Sequence, residues 1–356
     1  MTARSIAQRR LHSQLLAAGG DSPHEVVAHL GAVQAQDYLG ALWAVGARTR
    51  KPVLEGDVER ALAERTIVRC WPMRGTLHFV AAEDARWMLD LLAPRVLARH
   101  RARLERDFEL DPATLRRCRK LVERALRGGK ARTRPELYAL FEDAGIATAA
   151  SRGLHILFTL AHERVVCFGA RRGKQPTFVL FDEWLPSAPS KTREEALEEV
   201  ARRYFNGHGP ATVADFVWWS GLTVKEANEA IALSSLTEEV IDGQTLWSGR
   251  ASAGKPKERV HLLPPFDEYT VAYKDRSAVL DAAFARNVNA GGGMINAIVV
   301  VDGIVAGNWK RTLKGRSVEI AVAPFRELSA RETKAIEQEA ERFSRFLGCE
   351  STVVRF

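Results

Sequence analysis

The chain has 356 residues, 46% of them hydrophobic and 27% charged, a globular composition with room for two or three ordinary domains and no call for long disorder. Four scattered cysteines (Cys70, Cys118, Cys167, Cys349) with no Cys-x-x-Cys pair exclude a disulfide framework and a clustered zinc site. No apolar run reaches membrane-spanning length, and Met1 to Ile6 lacks the apolar core of a signal peptide, so the expectation is a cytoplasmic protein with no membrane partner.

The net charge of +8 is unevenly spread. Between Arg95 and Arg134 stand twelve Arg and two Lys against five acids, a net of +9, which leaves the rest of the chain at −1. Such a segment either is a solvated helical face or lies along phosphates, where each neutralised charge releases a counterion.

In chain order, Ser5 to Ala17 has helical spacing and ends at Gly19-Gly20. Ser22-Pro23 opens a second helix, Asp37 can cap a third, and a fourth runs near Glu55 to Glu64. Ile67 to Trp71 and Thr76 to Val80 read as strands around Pro72-Met73-Arg74-Gly75. Helices followed by a two-stranded ribbon is the order of a winged helix. The order recurs with helices at Thr133 and Ser151 and strands Val165 to Phe168 and Thr177 to Phe181, joined by the basic tip Arg171-Arg172-Gly173-Lys174. It recurs again after the linker Pro186 to Ser190, with helices from Thr192, Pro210 and Thr223 and a hairpin across Asp242-Gly243. The adjacent Trp218 and Trp219 are read as core. Beyond lie a hairpin through Asp302-Gly303, a strand from Ser317 to Val322 and an amphipathic helix from Ser329 to Phe346.

The expected fold class is therefore α+β: about three tandem winged-helix units forming a concave DNA-binding surface, with a mixed α/β C-terminal region. The expected domains are 1–94, 95–185, 186–250 and 251–356. Candidate DNA contacts are Arg99, Arg101 and Arg103 in the basic segment, Arg171, Arg172 and Lys174 at the second wing, and Lys310 and Arg311 beyond Trp309. Charged surface or edge protection accounts for the same residues equally well.

Several chemistries have no motif here: there is no phosphate-binding Gly-rich loop with Lys-Ser/Thr, no H-E-x-x-H, no G-x-S-x-G and no dinucleotide fingerprint. His24 and His29, five apart, share no helix face and make a poor metal pair. Gly291-Gly292-Gly293 reads as a loop. No cofactor and no metal are expected.

Gln34-Ala35-Gln36-Asp37 is more informative. On a regular helix, residues two apart point about 200° apart, so both amides enter one site only if the junction is extended. That requires the helix from Pro23 to end near Val33 and Asp37 to cap the next. A glutamine amide is no general base, but it accepts from a water and donates to another group, which suits the positioning of a neutral nucleophile.

Gln34-Ala35-Gln36, Trp71-Pro72-Met73-Arg74-Gly75-Thr76-Leu77-His78, Leu262-Leu263-Pro264-Pro265-Phe266-Asp267-Glu268-Tyr269 and Tyr273-Lys274-Asp275-Arg276-Ser277 together resemble the winged-helix DNA glycosylase family of AlkZ and YcaQ, across nearly the whole chain. The Gln-apolar-Gln form is similar to the AlkZ branch. The resemblance implies a monofunctional, metal-free glycosylase acting on N7-alkylated purines in double-stranded DNA, including bulky adducts or interstrand crosslinks, in repair or genotoxin self-resistance. It implies catalytic roles for Gln34 and Gln36. Thr76 and His78 on the first hairpin are further candidates for lining the site, against a structural histidine, and Asp267 and Glu268 either face the channel or form internal salt bridges; a monomer without obligate protein partner at a bacterial nucleoid is expected. The competing readings are a non-enzymatic winged-helix regulator and a protein-binding module.

Overall fold

The computed structural model describes residues 3–187, 189–249 and 260–356. Ala188, in the expected linker, and the start of the expected C-terminal domain at 251–259 lie outside the described residues. The chain divides into two compact units, Met1–Arg60 with Leu197–Phe356, and Ala61–Ala196.

In the first unit, local signals set the N-terminal helices. Ser22 accepts a hydrogen bond from Glu25 N, and Pro23 occupies the first turn of the helix Pro23–Leu30. Gly31 ends that helix at φ 74°, a conformation that strains any other residue. Asp37 accepts from Gly40 N and caps the helix Tyr38–Gly46. Later in the chain, capping boxes at Thr212/Asp215 and Thr223/Glu226 start Val213–Ser220 and Val224–Leu233, ahead of the hairpin Thr237–Ile241/Gln244–Ser248.

The C-terminal part of this unit is a five-stranded sheet in the order Ser351–Arg355, Ser317–Pro324, Ile304–Lys314, Ile298–Val301, Val260–Leu263. Its pairs are antiparallel except the outermost, Ser351–Arg355, which runs parallel to Ser317–Pro324. A parallel pair needs a crossover connection, and the helix Ala330–Phe346 supplies it. That helix buries Ile336, Ala340, Phe343 and Phe346. Trp43 packs on Phe343 and Phe346 at ring-centroid distances of 5.0 and 5.1 Å, so the N-terminal helices and the sheet share packing. Gly46 makes room for this: a Cβ there would lie 2.5 Å from the Phe346 ring.

The second unit is built on the 27-residue helix Ala82–Phe108, which follows the hairpin Ile67–Met73/Thr76–Ala81. Helices Pro112–Leu126, Arg134–Asp143 and Arg152–His162 and a sheet in the order Arg132–Thr133, Gln175–Leu180, Val166–Arg172 complete it. One apolar cluster, including Trp71, Leu104, Val122, Phe141, Leu157 and Phe178, runs through these elements.

The structure is mixed α/β as read, but its divisions differ from the expected domain boundaries. The boundary expected at 94/95 falls inside the continuous helix Ala82–Phe108, which carries Pro94 within it. Proline signals a break locally, yet the helix continues, with Trp87, Met88, Leu91, Leu92, Val96 and Leu104 buried along it. The chain divides at 60/61 and 196/197 instead, and residues after 197 belong with the N-terminal helices. The second hairpin is also tighter than expected. Arg171 and Arg172 belong to the strand Val166–Arg172, and Gly173-Lys174 alone make the turn.

Candidate active site

The Gln-Ala-Gln segment lies between two helices and is not itself helical. The helix before it ends at Leu30, three residues earlier than Val33, because Gly31 takes the left-handed cap. Val33–Gln34 is strand, and the next helix begins at Tyr38. The strand stops at Gln34, and Gln36 lies in the bend that leads into Asp37. They are not equally covered: Gln34 is 8% exposed, while Gln36 is open to solvent.

What holds the segment is a buried carboxylate far away in sequence. Glu268 Oε1 accepts a 2.9 Å hydrogen bond from Gln34 N, and its Oε2 accepts from Trp219 Nε1 at 3.1 Å. His208 Nε2 lies 3.4 Å from Oε2. Glu268, Trp219 and His208 are all fully buried. Glu268 sits in the short helix Glu268–Val271, which Asp267 caps through Tyr269 N. The turn before it puts Phe266 at φ 59°, an uncommon conformation for an aromatic residue, and packing holds it there.

Asp267 forms a bidentate ion pair with Arg48 (Nη2–Oδ1 2.7 Å, Nη1–Oδ2 2.8 Å). Arg48 also donates to Gln14 O, Gln14 Oε1 and Ala44 O, so each of its five N–H groups has an acceptor. Gln14 in turn donates to Glu268 O and Tyr273 Oη. Asp215 accepts from Lys274 N and Asp275 N, tying the Tyr273-Lys274-Asp275 stretch to the helix Val213–Ser220. The acidic residues singled out in the sequence thus form a hydrogen-bonded platform, and Asp267 lies sealed inside it, where no substrate reaches.

Thr76 and His78 belong to the 61–196 unit. Arg74 Nη2 donates to His78 Nε2 at 3.3 Å, so Nδ1 carries the proton and donates to Thr76 O at 3.0 Å. With 0% exposure, His78 braces its own hairpin turn, and it lines no open surface. The Thr76 hydroxyl is buried and makes no hydrogen bond among the described residues.

In the basic helix, Arg101 pairs with Glu105 and Arg103 with Asp107, whereas Arg99 is exposed and has no carboxylate partner among the described residues. Arg172 pairs with Glu136 at 3.0 Å, Arg171 donates to Lys174 O, and Lys174 is exposed at the turn. Lys310 and Arg311 lie mid-strand, opposite Ala321 and Ile320. Of the paired tryptophans, Trp219 is core as expected, but Trp218 is 47% exposed, with its Nε1 donating to Val271 O.

Glu268 is structural, holding the Gln34 backbone and the Trp219 indole. Its signal was a Glu directly after Asp267 in an otherwise apolar stretch, a place where a carboxylate needs buried donors. Among the described residues no group of three or more His, Cys, Asp or Glu side chains is placed to hold a metal ion. None of the described helices is long and apolar enough to cross a membrane.

Comparison with known proteins places this basic α/β chain among the DNA glycosylases. A family model described as DNA glycosylase AlkZ-like matches residues 27–346, and the chain belongs to that family. It is 29% identical over 361 residues to an interstrand DNA cross-link repair glycosylase of Streptomyces sahachiroi, covering 94% of this chain and 93% of the relative. Its structure is similar to that of the S. sahachiroi DNA glycosylase AlkZ, with a TM-score of 0.84 and 26% identity over 100% of this chain and 99% of that one.

Proposed function

We propose that this DNA glycosylase hydrolyses the N-glycosidic bond of N7-alkylated purines in double-stranded DNA, with Gln34 and Gln36 positioning the attacking water. An N7-alkylpurine is already cationic and leaves without a strong general acid. Water oxygen bonds to the anomeric carbon as the carbon–N9 bond breaks. The bonding electrons neutralise the purinium, and the water's second proton passes to solvent. The enzyme's part is to hold that water and to stabilise an oxocarbenium-like sugar with two carbonyl dipoles. Orientation of this kind is worth about 7 kcal/mol of barrier at the low end of well-oriented reactions.

The observation that supports this reading is the break between two helices, where Glu268 holds the Gln34 backbone and Gln36 follows two residues on, exposed, ahead of the cap at Asp37. The name of the S. sahachiroi relative supports crosslinks as a further substrate. The helix-and-hairpin modules before and after residue 130 support winged-helix contacts to the duplex, with Arg99, Lys174, Lys310 and Arg311 the basic candidates that have no carboxylate partner among the described residues. The protein acts as a monomer located with the chromosome.

The test is release of 7-methylguanine from alkylated duplex by the purified protein with chelator present. The double variant Gln34→Ala/Gln36→Ala should lose release by at least a hundredfold while its duplex affinity and melting temperature stay near wild type. Undiminished release by the double variant would reject the assignment. Binding without release by the wild type would favour a regulator.

A further inference from the structure

One peptide beyond Gln36, a cleft of about 640 Å³ opens within the first unit. It begins at Asp37 and Gly40, and its floor includes Trp43 and Trp309. Both indole N–H groups are already committed, to Leu262 O at 2.6 Å and Leu263 O at 2.8 Å, so the floor offers ring surface only. Three cations stand around it: Arg286, Lys310 and Arg311. Among the described residues none of the three has a carboxylate partner. Arg311 has a ring contact with Phe343, and the other two have no ion pair.

That contrasts with nearby basic residues outside the cleft. Lys314 pairs with Glu319, Arg316 with Glu350, Arg326 with Glu332 and Arg342 with Glu339. Among the described residues the three cleft cations have no such carboxylate. Asn296 and Asn308 line it as well. Each uses one amide hydrogen, on Asn287 O and Ala297 O, and keeps a second N–H for a ligand. The one acid present, Asp37, is committed as a helix cap facing the positive end of the helix Tyr38–Gly46.

Three cations and two amide donors suit an anion with several acceptor oxygens and repel a cationic purine, so the lesion base is not the occupant. Consecutive Cα atoms lie about 3.8 Å apart, and nucleotides on one strand rise about 3.4 Å. A sugar within reach of Gln36 therefore brings a phosphate of its own strand to a cleft that starts at Asp37. Resting on the glycosylase reading above, we propose that this cleft seats one backbone phosphate of the damaged strand beside the attacked sugar and so fixes which nucleotide enters the reaction.

The test is single-turnover release of 7-methylguanine, at subsaturating enzyme, from duplexes carrying one neutral methylphosphonate at successive positions around the lesion. Wild type should slow about tenfold at one position. Lys310→Ala/Arg311→Ala and Arg286→Ala should be slower on the all-phosphate duplex but indifferent to the methylphosphonate at that position alone, while remaining sensitive elsewhere. The slope of log affinity for undamaged duplex against log salt should fall by about one for each phosphate that the variant no longer neutralises.

Wild-type sensitivity of the variants at every position, or an unchanged salt slope, overturns the proposal. Competitive inhibition by millimolar inorganic phosphate without any methylphosphonate effect overturns it too, since the site would then take a free anion. If wild type releases no base, the glycosylase reading fails by itself, and the salt slope on undamaged duplex still decides the cleft.

Discussion

The backbone N–H of Gln34 donates to Glu268 Oε1 at 2.9 Å across 234 residues of chain. Two donors, Gln34 N and Trp219 Nε1, meet the two oxygens of one buried carboxylate. A carboxylate accepts at both oxygens, whereas an amide accepts at one and donates at the other.

Glu268→Gln is therefore expected to leave one donor facing an NH₂ group, costing about 1–3 kcal/mol of stability. Release of 7-methylguanine should fall as the Gln34 backbone loosens. In a double-mutant cycle with Trp219→Phe, which removes one of the two donors, the double variant should lose less than the sum of the single losses. Strict additivity in denaturant unfolding would show that the two donors do not share the carboxylate.

The Arg48–Asp267 pair is sealed, and every N–H of Arg48 has an acceptor. Removing one partner leaves an uncompensated buried charge, at a cost of about 3–5 kcal/mol. Asp267→Asn should lower the urea midpoint accordingly. A residue lining the reaction centre would instead lower turnover at wild-type stability, and that outcome would return Asp267 to the active site.

Burial pushes the His162 imidazole down to about 4 from an ordinary 6.5, and its Nε2 has no hydrogen-bond partner among the described residues. Above pH 6.5 neither the folded nor the unfolded imidazole is charged, so this group adds no pH dependence. Between 6.5 and about 4 only the unfolded chain takes the proton. Stability should fall across that window and level off below it, by about 3 kcal/mol from this residue. His162→Gln should shrink the difference in unfolding free energy between pH 7 and pH 4 by that amount. An unchanged difference would mean that the folded imidazole titrates normally.

Burial raises the Cys70 thiol to about 12, the Cys118 thiol to about 11 and the Cys167 thiol well above the ordinary range. All three are buried, and Cys349 is partly exposed. An aromatic disulfide reagent at pH 8 should titrate one thiol in the native protein and all four in denaturant. Rapid modification of two or more native thiols would contradict this packing.

Elements governed by residues close in sequence were legible before any coordinates. Ser22, Asp37, Thr133, Thr223 and Ser329 cap the helices assigned to them, because a cap is a contact across three residues, whereas the helix expected from Pro210 starts at Val213. Asp242-Gly243 and Asp302-Gly303 turn as read, since positive φ is a property of the turn itself. The break between helices at Gln34-Ala35-Gln36 follows from Gly31 and Asp37 flanking it.

Long-range burial was not legible. Pro94 marks a boundary by local rules, but packing carries the helix through it. The sequence leaves His78 and Asp267 as candidates, and only the fold shows them enclosed and hydrogen-bonded. The terminal strand Ser351–Arg355 and its parallel pairing required knowing where the helix Ala330–Phe346 returns the chain. Local conformational preference wrote the helices and turns into the sequence. The partner of Gln34, the enclosure of Asp267 and the gathering of three cations beside Asp37 depend on which distant segments meet, and burial in the folded chain alone decides that.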